Sequence, residues 1–210
     1  PSCLQDHIRI NGPVTVEQAQ KLGLYHHEFG YYVHNSVIGA QGDFITAPEI
    51  SQLFGEMLAF WCIAQWQEAG SPASIHLIEL GPGRGTLMQD ILRIGQRQEG
   101  FIESLTVSCV EICPYLSDLQ RQNLGEYPFV FWYKDIFEVP RGASFTLVLA
   151  NEFFDTIPIR QFVGAEERTI RYSELENTLV FSPPGNPNSI KENCPMGDDI
   201  MREVLRHLNP

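Results

Sequence analysis

The sequence predicts a doubly wound α/β fold built on a mostly parallel sheet. An apolar run from Ile75 to Leu80, broken only by His76 and Glu79, passes into Gly81-Pro82-Gly83-Arg84-Gly85. Leu87, Met88, Ile91 and Leu92 follow at helical spacing. That is strand, tight turn, helix, the opening unit of such a sheet. Further strand-like runs come at 105–110, 129–133 and 145–150. The last is uninterrupted and apolar, as befits a strand buried on both faces.

The totals fit one α/β domain with a substantial core. The chain has 210 residues, 43% of them hydrophobic and 19% charged. With 14 Lys+Arg against 26 Asp+Glu the net charge is −12. No basic stripe is visible, which argues against nucleic-acid binding. The five cysteines are odd in number and scattered, and Cys109-x-x-x-Cys113 lacks a second pair or a histidine cluster. Reduced structural thiols, a reducing compartment and no metal are expected. No apolar run approaches the ~20 residues that span a bilayer, and no signal peptide is visible. A first residue Pro1 and an end just after a helical pattern suggest a fragment.

In chain order, Gly12-Pro13 turns into a helix start at residues 14–17 that runs to Leu22 and is stopped by Gly23. His26 and His27 are expected to face solvent. Thr46-x-x-Glu49 has capping-box spacing, with Pro48 in the first turn. A long helix is expected to follow. Its stripe of Ile50, Leu53, Phe54, Met57, Leu58 and Trp61 should face the core, and Gly70 should end it. Asp43, next to Gly42 and ahead of the positive helix end, either contacts a ligand or caps that helix with Thr46.

The glycine turn narrows the ligand. Counting from Gly81, a dinucleotide fingerprint would need glycine at Thr86, and the Gly-Lys-Ser/Thr of a P-loop is missing. Glu79 instead stands two residues before Gly81, where an acid suits a cationic group better than a pyrophosphate. S-adenosylmethionine carries an ammonium, a sulfonium and no phosphate. The plainer alternative is a tight connection that binds nothing. Glu111 ends the second strand 26 residues beyond Gly85, near the ~20-residue spacing of an acid that takes ribose hydroxyls. Asp135 and Ile136 follow the third strand and either hold an adenine or form a plain turn. The fourth strand runs into Asn151-Glu152-Phe153-Phe154-Asp155. Ligands of open α/β sheets lie beyond the carboxyl ends of strands, so Asn151, Glu152 and Asp155 fall near a cofactor's reactive group. Residues 159–163, 168–172 and 178–181 suggest a β meander, and 199–208 a last amphipathic helix.

Three blocks carry a family resemblance: 42–56 (GDFITAPEISQLFGE), 79–88 (ELGPGRGTLM) and 151–158 (NEFFDTIP). In these the chain resembles the MidA-like S-adenosylmethionine-dependent methyltransferases, bacterial proteins similar to the mitochondrial arginine methyltransferase that assists complex I assembly. The resemblance implies a Rossmann-like methyltransferase fold with an N-terminal helical extension and a small β insertion. Residues 1–70 would be a helical segment with a cofactor-covering loop. Residues 71–210 would be the core with its meander, the sheet short of the family's seven strands. Glu79, Gly81, Pro82, Gly83, Gly85 and Glu111 would surround the cofactor, with Asp135 and Ile136 beyond them and Asp43 and Thr46 closing over it. Glu152 and Asp155 would grip an arginine of a protein substrate, with Asn151 bordering cofactor and substrate. The expected compartment is the bacterial cytoplasm or the mitochondrial matrix. An assembly scaffold with vestigial cofactor binding and a small-molecule methyltransferase are the alternatives.

Overall fold

The structure, a computed structural model, describes residues 3–31 and 46–208; Asp43 lies outside them. The chain divides into two compact units, one of residues 36–154 with 200–210, the other of 1–35 with 155–199.

In the first unit the elements are α1 (Ala47–Ile50), α2 (Gln52–Glu68), β1 (Ile75–Leu80), α3 (Thr86–Gly95), α4 (Phe101–Ser104), β2 (Leu105–Val110), α5 (Pro114–Leu124), β3 (Val130–Tyr133), β4 (Thr146–Leu149) and α6 (Pro195–Leu208), the last belonging to this unit from Ile200 onward. All pairings are parallel, in the order β3-β2-β1-β4. Because the order reverses beside β1, a crevice opens at its carboxyl end, the usual ligand position of a doubly wound sheet. One face of the sheet, with Ile75, Leu77, Leu105, Val107, Leu147 and Leu149, packs on α2, α3 and α4. On α6, Ile200 and Val204 are buried.

The helix ahead of the sheet differs from expectation in three ways. It is two helices, because Ser51 turns extended (φ −150°) and its side chain accepts from Leu53 N–H to start α2. The Thr46/Glu49 capping box does not form; Glu49 instead accepts a hydrogen bond from Thr86 on α3 (2.5 Å). The apolar stripe is largely outside: Ile50, Leu53, Met57 and Trp61 are exposed. The buried line is Gly55, Ala59, Cys62, Ile63 and Trp66. Close approach to α3 demands small residues, since a Cβ at Gly55 would lie 2.6 Å from Asp90 Cβ. Apolar residues stand on nearly every side of α2, so periodicity alone could not orient it.

The second unit carries helices Leu4–Asn11 and Val16–Tyr25 and two small antiparallel sheets. The expected meander is split between those sheets. Arg160–Val163 pairs with Glu166–Glu167 and Ile190–Asn193, while Thr169–Ser173 pairs with Val14–Thr15 and Thr178–Ser182. The helix near residue 14 begins two residues later, where Thr15 and Gln18 form a reciprocal capping box, and it continues through Gly23. The two units cut the chain at points other than residue 70, since α2 belongs with the sheet. No described helix is long and apolar enough to cross a membrane.

Candidate functional site

β1 delivers the chain to a turn in which Gly81, Gly83 and Gly85 all have positive φ (64°, 56° and 82°), a region that costs glycine nothing. Gly81 must also lack a side chain: a Cβ there would sit 2.9 Å from Phe153 Cδ2. Gly81 N–H donates to Val110 C=O (3.0 Å), and Gly85 N–H closes the turn on Pro82 C=O (2.8 Å).

Helix α5 holds this turn in place. Gln120, fully buried, donates to Gly83 C=O (2.6 Å) and to Glu111 Oε2 (3.4 Å), and accepts from Trp132 Nε1 (3.2 Å). Asn123 donates to Arg84 C=O (3.1 Å). Sequence reasoning missed both residues. The signal for Gln120 was available: Leu116, Gln120 and Leu124 form the buried stripe of α5. A polar residue inside such a stripe must find polar partners.

Two acids stand above the turn. Glu79, the penultimate residue of β1, is 2% exposed, and its Oε2 has no hydrogen-bond partner. Burial, and then the neighbouring Glu111, push its carboxyl up to about 8 from an ordinary value of 4.5. Glu111, just past β2, is also buried. Its backbone N–H bonds Tyr133 C=O (2.9 Å), and its Oε1 accepts from Cys113 N–H (2.8 Å). Burial raises this carboxyl to about 7 even against those donors. The thiols around the pair stay neutral: burial and Glu79 push Cys62 up to about 12 and Cys109 well above its usual range. Two buried acids thus lie side by side with no balancing cation among the described residues, and one of them has an orphaned oxygen.

The remaining predicted residues lie as follows. Thr46 is half-buried and leads into α1, whose Ala47 N–H approaches Glu152 Oε1 (3.4 Å). Glu152 is exposed and held at φ 51°, a region that β-carbon-bearing residues seldom occupy and that gathers at functional sites. Asn151 and Phe153 are half-buried. Asp135 is exposed and caps the next turn by accepting from Phe137 N–H (3.2 Å), while Ile136 is buried. Asp155 is exposed and is the first residue of the second unit after Phe154.

The fold is that of a doubly wound α/β protein with two buried acids at the strand tips. A family model described as "Putative S-adenosyl-L-methionine-dependent methyltransferase" matches residues 57–207, and the chain belongs to that family. Its relatives include the proteins named protein arginine methyltransferase NDUFAF7, mitochondrial. The Danio rerio protein is 37% identical across 90% of this chain and 48% of its own length. The Xenopus laevis protein is 42% identical across 96% and 55%. The Drosophila melanogaster homolog is 33% identical across 90% and 52%. The chain thus spans about half the length of these relatives. A crystal structure of a Burkholderia thailandensis protein bound to S-adenosyl-homocysteine shares the fold with a TM-score of 0.76 at 22% identity, covering 98% of this chain and 59% of that one.

Proposed function

We propose that the protein is an S-adenosylmethionine-dependent methyltransferase acting on an arginine side chain of a protein substrate. The observation that carries this reading is Glu79, buried with one oxygen unpartnered, beside Glu111 and above the glycine turn. Bound there, the cofactor supplies a methyl group on a positively charged sulfur, ready for one-step displacement. Glu79 would meet its ammonium group and Glu111 its ribose hydroxyls. Gly81, Pro82, Gly83 and Gly85 would let the backbone come close to it. Asp135 and Ile136 are assigned to the adenine, and Thr46 with Asp43 to the cover.

As the acceptor nitrogen gains the methyl group it loses a proton, which passes to a neighbouring carboxylate and on to solvent, while the cofactor's sulfur leaves as a neutral thioether. The protein must align the acceptor and exclude water. A carboxylate suits a guanidinium because it can take the planar fork bidentately and orient the attacking nitrogen. Glu152 is assigned that task, with Asp155 three residues on in sequence and Asn151 bordering the cofactor. The choice of arginine is supported by the names of the relatives, and the same names favour a mitochondrial location for a eukaryotic source, which we assign to the matrix.

Transfer of a labelled methyl group to arginine in protein extracts tests the proposal. Glu152→Gln should lower transfer by about 100-fold, the scale of losing one charged positioning group, and leave affinity for S-adenosylhomocysteine nearly unchanged. Equal loss of both would refute the assignment.

A further inference from the structure

We propose that the strand-tip site binds its cofactor by exchange for a proton: Glu79 is protonated in the free protein and gives up that proton as the cofactor's ammonium group arrives. This rests on the cofactor reading above and goes beyond it.

The surroundings of Glu79 carry the argument. In register beside it on the sheet are Cys109 of β2 and Leu149 of β4. Cys62 of α2 feels the charge of Glu79, and Glu111 stands beyond β2. None of these brings positive charge. On α3, Arg93 is already engaged with Asp90 (2.9 Å) and with Glu56 of α2 (2.9 Å). On α5, Gln120 offers only an amide, and the Arg121 guanidinium lies over the Trp132 ring at 4.9 Å. His76 and His207 belong with the sheet's other face: His76 alternates with Glu79 along β1 and bonds Ser108 (2.7 Å). Among the described residues no cation is seen to offset this carboxyl, which is 2% exposed with an orphaned oxygen, so it becomes neutral by holding a proton. The step balances simply. The carboxylic acid and the incoming ammonium become a carboxylate–ammonium pair, and the proton passes to solvent. Glu111 follows in part, because a cation nearby favours its ionised form too.

The consequence is a pH dependence of affinity. With Glu79 raised to about 8 and Glu111 to about 7, binding should tighten about tenfold per pH unit between pH 7 and 8, more steeply below pH 7 where Glu111 also gives up a proton, and level off above pH 8.

Calorimetric titration of the full-length protein with S-adenosylhomocysteine at pH 7, in buffers of different ionisation enthalpy, counts the protons. About one to one and a half protons should leave per ligand bound, and Glu79→Gln should cut the count to about half a proton or less. Saturable binding without proton release, or a count unchanged in Glu79→Gln, overturns the exchange and leaves the cofactor reading standing. No binding at all overturns both. Should Glu79→Gln fail to fold, the wild-type affinity between pH 6 and 9 decides the matter, and a flat profile contradicts the exchange.

Discussion

Glu79 at the tip of β1 and Glu203 on α6 are both almost fully buried, at 2% and 1% exposure, and their surroundings differ completely. Glu203 is met by Arg141, whose Nε lies 2.7 Å from Oε1, by Arg206 (3.1 Å) and by the edge of His207 (3.6 Å). Burial would raise its carboxyl, but the two arginines outweigh that and hold it below the usual range. Glu79 has an orphaned oxygen and a second acid as neighbour, and its carboxyl rises. The same side chain is thus a structural anchor in one place and, in the proposed reading, an open receptor in the other. The contrast teaches that a buried acid is informative through what fails to neutralise it. A satisfied acid describes the fold, whereas an unsatisfied one describes a ligand.

The two acids should respond oppositely to pH, and this is the largest effect expected. Glu79 has a folded value above its unfolded one, so its contribution to stability is complete below about pH 4.5 and is lost as pH rises through 8. The full displacement is on the order of 5 kcal/mol. Glu79→Gln should therefore flatten much of the alkaline loss of stability, measured by urea unfolding of the ligand-free protein from pH 5 to 9. Glu203 has the opposite sign: its contribution is present above the ordinary carboxylate value and is lost as pH falls through its lowered one. Glu203→Ala should cost about 3 kcal/mol at pH 7, the scale of breaking a buried pair, and much less near pH 3 in the same unfolding experiment.

Smaller changes sharpen the comparison. Gln120→Leu removes the amide donor from Glu111 and from Gly83 C=O. It should cost about 1–2 kcal/mol of stability and weaken S-adenosylhomocysteine binding, read by calorimetry. Arg206→Ala should cost less than about 1 kcal/mol, because that arginine is mostly exposed and Arg141 still holds Glu203.

Much of the fold was legible because strands and a glycine turn are local signals. The four parallel strands stand where the apolar runs put them, within a residue or two at their ends. The turn after β1 needs glycines at positive φ for reasons visible in one dimension. Orientation was less legible. Helix α2 shows apolar residues on most sides, and only the tertiary demand for small side chains at Gly55, Ala59 and Cys62 against α3 decides which face is buried. The capping box at Thr46 failed for a similar reason. Glu49 found a tertiary partner in Thr86, and such a bond between residues 37 apart leaves no local trace.

At the site, Glu79 and Glu111 could be picked from their places at strand ends, but their burial and mutual repulsion could not. Those belong to the packing of β1 beside β2 beneath α2. Gln120 went unnoticed because its importance lies in three partners on three different segments.

Carboxyl resonances of 13C-labelled glutamate, followed from pH 3 to 10 and assigned with Glu79→Gln and Glu203→Gln, test the contrast most directly. Glu79 should titrate near 8 and Glu203 below the ordinary carboxylate range, with S-adenosylhomocysteine shifting Glu79 to its ionised position at pH 7. If both titrate together at an ordinary value, or if the ligand leaves the Glu79 signal unmoved, the acid above the glycine turn is not the receptor described.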